Sequence, residues 1–145
     1  MEAMYPYFLV IHLVCAIIFL GFIFTDVVLL SVLKKHFGKE MADKIFSAIV
    51  SRGVKIMPLC LVLLILTGGA MISRYIGGDK GFFETSMQQF LVVKMIFALC
   101  IVLMVIISIG TRFVLKKDSF LDKFIHPLAL FFGFLIVLCA KLAFF

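Results

Sequence analysis

The sequence predicts an all-α integral membrane protein, a four-helix bundle running up-down-up-down with both termini outside. Three observations predict it. Of 145 residues, 65% are hydrophobic and 15% charged, with eighteen phenylalanines, too few polar groups to coat a soluble domain of this size. Four apolar runs each reach the roughly 20 residues that a helix needs to cross about 30 Å of hydrocarbon. The basic residues gather between alternate runs. No ten-residue polar/apolar alternation suggests a barrel, and a backbone in lipid must satisfy its own hydrogen bonds, so the runs are helices.

The first span covers about 5–33. It lacks a basic leader and a small-residue cleavage site, so it reads as a retained helix and not as a signal peptide. The second covers about 54–76, the third about 87–115 and the fourth about 124–145, within a single domain of residues 1–145. The connection after the first span, with its flanks, carries Lys34, Lys35, Lys39, Lys44, Arg52 and Lys55, and that after the third carries Arg112, Lys116, Lys117 and Lys123. Arg74 and Lys80 lie on the opposite side. By the positive-inside rule the first set is cytoplasmic, which fits a multi-pass protein of the bacterial inner membrane with the lipid bilayer as its main partner. The net charge of +6 expresses this bias and no nucleic-acid-binding face. The segment 34–55 is expected to include a short interfacial helix, "KEMADKIFSAIV", on the anionic inner leaflet.

Ionisable residues inside lipid are costly and mark candidate sites. His12 lies seven residues past Tyr5, roughly 10 Å inside the outer boundary at 1.5 Å per residue. Lys94 lies seven residues past Met87, so an up-down-up-down path brings it to the same depth. At 100° per residue His12, Cys15, Phe19, Phe22 and Asp26 share one stripe. Lys94, Ile101, Val105, Ser108 and Arg112 share another. Asp26 falls eight residues short of Lys34 and reads as submerged, with Arg112 or Arg52 as its partner.

Other readings of these residues stay open. His12 also suits a helix–helix hydrogen bond, Lys94 could snorkel outward, and Asp26–Arg112 suits a structural ion pair. His126, before Pro127, suits an interfacial cap. Lys141 is expected to snorkel and His36 to be solvated. The four cysteines, Cys15, Cys60, Cys100 and Cys139, fall one per span and read as inert packing. Cys60 is expected nearer the cytoplasmic side than Cys15.

An imidazole and an amine facing one layer of an apolar bundle suit a flat metal-bearing ligand, and haem is the clearest candidate. Lys94 would ligate only when neutral. His12 and His126 lie roughly 20 Å apart along the normal, which excludes a bis-histidine clamp between them in one protomer.

Four stretches together resemble a known family: "IHLVCAIIFLGF", "SRGVKIMPLCLVLLILTGG", "FLVVKMIFALCIV" and "HPLALFFGFLIVLCAKLAFF". They look like the four-helix membrane superfamily that holds the HemJ protoporphyrinogen oxidases and the CopD copper-resistance proteins. The resemblance implies haem b held by the first-helix histidine and third-helix lysine, here His12 and Lys94. It also implies a homodimer and electron transfer toward the respiratory chain. The run from the third-helix lysine to "GTR" looks more like the CopD branch. The expectation is a haem b oxidoreductase or electron-transfer protein, with protoporphyrinogen oxidation as a candidate activity and a porphyrin or quinone as small-molecule partner. Asp26, Arg112 and His126 are candidates for a catalytic proton or ion-pair relay. The alternatives are copper transport and a haem-free membrane assembly role.

Overall fold

The computed structural model describes residues 2–115 and 122–145. These residues are helical throughout, apart from one connecting loop, short turns and the C-terminal residue. Helix α1 spans Tyr5–Phe24, with a proline in its first turn, where the missing N–H costs nothing. A π-helical turn, Thr25–Leu29, follows it and leads into α2, Leu30–Ile72. Helix α3 spans Ser86–Leu115 and α4 spans Asp122–Ala143. The chain falls into two compact units, one through residue 71 and one from Ile72 onward.

Four separate helices were expected, and the count differs. Helical structure runs from Tyr5 to Ile72, interrupted at the single residue Gly38. The described residues therefore hold three helical segments long and apolar enough to cross a membrane, Tyr5–Ile72, Ser86–Thr111 and Lys123–Ala143, which marks the chain as a membrane protein. The basic connection read as separating two spans is itself helical, well beyond a short interfacial piece.

The long segment is not straight. Gly38 has φ +80° and ψ 167°, a conformation that glycine adopts without a Cβ penalty, and the chain reverses there. His12 meets Thr67, the Phe22 ring lies against Gly53, and the Lys34 ammonium sits 5.8 Å from the Phe46 ring centroid. Each advance along the first arm is matched by a retreat along the second, which defines an antiparallel hairpin with its tip at Gly38. Each arm is roughly 50 Å long at 1.5 Å per residue, well over the thickness of hydrocarbon. Leu30 and Ala42 are buried near the tip, so the arms stay packed where charge becomes frequent. That packing keeps 34–53 helical.

The hairpin register bears on two positions read from the sequence. Asp26 lies one turn past Phe22, so it sits on the tip side of Gly53, and of Arg52 and Lys55 with it. It is half-exposed and lies in the π-helical turn Thr25–Leu29. Cys60 was expected on the opposite side from Cys15, yet the two thiols meet across the arms.

In the second unit α3 and α4 are also antiparallel. Phe97 and Phe132 stack at 5.4 Å, Ile101 and Ala129 are buried, and Ile76, Leu91 and Ala143 form a small core beside the connecting loop. Gln88 organises that loop. Thr85 Oγ1 accepts the Gln88 N–H at 3.3 Å, while Gln88 Oε1 accepts the Thr85 N–H at 3.2 Å, a reciprocal capping box at the start of α3. The same Oε1 accepts the Glu84 N–H at 2.9 Å. Nε2 donates to the carbonyls of Tyr75 and Lys80 at 3.1 and 2.8 Å. Among the described residues no buried side-chain nitrogen or oxygen lacks a partner.

Two stability predictions follow from these contacts. A Cβ at Gly53 would collide with the Phe22 ring, so Gly53→Ala should cost about 1–3 kcal/mol in detergent unfolding, and Phe22→Leu in the same chain should restore part of it. Gln88→Met keeps the volume but strips partners from backbone groups, each costing about 1–3 kcal/mol. Limited trypsinolysis should then cut at Lys80 faster than in the wild type, and an unchanged rate would refute the amide's role.

Candidate functional site

Helix α1 carries His12 on its inward stripe. Cys15 and Phe19 on the same stripe are buried, and Phe22 faces Gly53, as the 100° spacing requires. The opposing arm offers Thr67 and Gly68. His12 Nδ1 lies 2.9 Å from Thr67 Oγ1, and Thr67 is buried. A Cβ at Gly68 would stand 3.1 Å from His12 Cε1, so the glycine gives the imidazole its room.

The direction of the His12–Thr67 bond follows from proton counting. A hydroxyl has one proton to donate, and Thr67 Oγ1 lies 2.6 Å from the Leu63 carbonyl. At that distance the hydroxyl proton must lie between the two oxygens. Thr67 therefore accepts from His12, and the imidazole carries its proton on Nδ1. The neutral ring then has its lone pair on Nε2. This is the arrangement that metal-ligating histidines use, with the distal nitrogen oriented by an outer hydrogen bond.

Lys94 belongs to the second unit. Its stripe holds the buried Ile101 and Ser108, and its amine lies within electrostatic range of Cys139 on α4. It is half-buried. His12 and Lys94 thus both sit on packed faces, each within its own unit.

The relay residues are divided in the same way. Asp26 lies in the first unit, in the π-helical turn. His126 lies in the first turns of α4 and is half-exposed. Arg112 lies on α3, and its side chain, like Lys116 and Lys117, is outside the described residues. Arg52, the other partner considered for Asp26, is exposed. Lys141 is exposed and reaches the Phe145 ring at 5.9 Å, in keeping with an outward-reaching side chain. His36 is exposed, with Nδ1 3.2 Å from the Val32 carbonyl.

No family model, curated protein or solved structure matches this chain. The HemJ/CopD resemblance therefore rests on the sequence motifs alone. Among the described residues no group of three or more His, Cys, Asp or Glu side chains is gathered as a metal-ion site. Haem makes a different demand. It brings four nitrogens of its own and needs one or two axial donors, and the donor chemistry of His12 fits that need.

Sequence reasoning missed Thr67 and Gly68. The signal was present as "TGG" inside an otherwise strongly apolar helix. Two adjacent glycines weaken a helix and small residues mark close approach between membrane helices.

Thr67→Val keeps the shape and removes the acceptor. Nitrogen NMR of histidine-labelled protein should show a protonated Nδ1 and an unprotonated Nε2 at His12 in the wild type, and a tautomer mixture in the variant. An Nε2-protonated wild-type ring would overturn the proton assignment.

Proposed function

We propose that the chain is a four-span protein of the bacterial inner membrane, with both termini outside, that binds haem b through His12 and serves in oxidoreduction or electron transfer. The observation that carries the reading is the His12–Thr67–Leu63 chain of hydrogen bonds. It places the Nδ1–H of the imidazole on an acceptor inside an apolar hairpin, and in the neutral ring Nε2 would be the donor atom. A ring placed only for helix packing could use either nitrogen, whereas a ligand needs one nitrogen kept unprotonated.

His12 is the axial ligand in this reading, Thr67 orients it, and Gly68 clears the space beside it. The motif resemblance makes Lys94, as a neutral amine, a candidate second donor. Bound haem would supply a one-electron carrier whose potential depends on its axial donors and on the polarity around it. Asp26, Arg112 and His126 are the candidates for moving or holding protons toward the cytoplasm. Four spans require the hairpin tip at Gly38 to lie on the cytoplasmic side, and the lysines around it support that orientation. Protoporphyrinogen oxidation, a porphyrin or quinone partner and a homodimer follow from the motif resemblance.

The test is an absorption spectrum of the purified protein, oxidised and reduced. A Soret band is expected, lost in His12→Ala, and displaced in Lys94→Ala if the amine is the second ligand. A colourless protein after growth with excess haem precursor would overturn the haem reading. Copper uptake by such a protein would favour a CopD-like transporter, and neither pigment nor copper would favour an assembly role.

A further inference from the structure

The haem reading uses neither of the thiols that face each other inside the hairpin. Cys15 on α1 and Cys60 on α2 are 6% and 5% exposed. Neither is in a disulfide, and the two side chains interact across the arms. Their meeting follows from a register fixed by other contacts. His12–Thr67 lies on one side of the pair and Phe22–Gly53 on the other, which brackets the place opposite Cys15 to about residues 60–64, and Cys60 is the buried residue of that stretch. Cys100 and Cys139, on α3 and α4, are only half-buried.

We propose that Cys15 and Cys60 form a redox pair that closes into an intramolecular disulfide and staples the arms of the hairpin about one turn from His12. A disulfide needs the two Cβ atoms roughly 3.5–4.5 Å apart and a bond of about 2 Å. Two buried side chains that face each other from packed arms are placed to reach that geometry by rotation about χ1. Sequence alone argues against such a bond, because a lipid interior excludes the charged and water-borne oxidants of ordinary disulfide formation. A membrane-soluble quinone is neither. The two thiols give up their hydrogens, the S–S bond forms, and the quinone takes two electrons and two protons to become the quinol. Reactants and products are all uncharged, so the step leaves no ion in the apolar interior. The staple would lock the register that sets Thr67 against His12, coupling the redox state of the quinone pool to the rigidity of the imidazole's support.

The full chain, purified reduced in detergent, is treated with tetramethyl-benzoquinone, whose ring has no open position for thiol addition. Denaturing alkylation should label four cysteines before treatment and two after it, the remaining pair being Cys100 and Cys139. Lys34, Lys35 and Lys39 at the tip are exposed, so trypsin should separate the arms. The peptides carrying Cys15 and Cys60 should stay joined until reductant is added. Cys15→Ser and Cys60→Ser should each abolish the link. Four labelled cysteines after treatment, a link that survives in either variant, or a link between two chains would each overturn the proposal. None of these readouts depends on haem, so the staple and the haem reading fail separately.

Discussion

The first unit depends on one close approach. At Gly53 the arms come so near that the Phe22 ring occupies the place of a Cβ. A helix pair held at such a point cannot slide, because a shift of one residue turns every side chain by about 100°. The register set there carries outward in both directions. Toward the tip it brings the Lys34 ammonium over the Phe46 ring. Toward the other end it brings Cys15 to Cys60 and His12 to Thr67. The tip requires only a residue that tolerates φ +80°, and Gly38 supplies it.

The second unit reaches a similar antiparallel arrangement by a different device. Its connection is a loop with several backbone groups that no helix satisfies, and helix ends leave such groups by necessity. One buried amide, Gln88, gathers four of them: two N–H donors on Oε1 and two carbonyl acceptors on Nε2. A lysine or glutamate could offer donors or acceptors but not both. The residue type is thus set by the loop it closes, although it sits in a helix.

Hydropathy and the helical period made part of this legible in the sequence. The apolar runs fixed the all-α class, and 100° spacing identified the inward stripe from His12 to Phe22. What the sequence hid was where the helices stop. The charged stretch around Lys34–Lys44 reads as a loop because its composition is that of a surface. It is helical because the arms still pack there, with Leu30 and Ala42 buried, and that is a tertiary fact. The misplaced level of Cys60 comes from the same cause. Counting residues from the first charge assumes that charge marks the end of a helix, whereas here the helices run on past it. Thr67 and Gly68 were overlooked for another reason. A hydroxyl and a glycine in an apolar run look like tolerated interruptions until the partner fifty-five residues away is known.

That partner turns an interruption into a constraint. An imidazole in an apolar hairpin must place its N–H on an acceptor or lose the cost of burying it. The obvious acceptors, backbone carbonyls, are committed to the helices. Threonine resolves this by returning its own proton to the Leu63 carbonyl and offering its oxygen to His12. The relay ends on a backbone atom and commits Nδ1 to Thr67. A ligand of the kind proposed would meet the neutral ring at Nε2. Arm register and ligand chemistry therefore meet in the same hydroxyl: a change that slides the hairpin moves the acceptor, and moving the acceptor frees the ring to take the wrong tautomer.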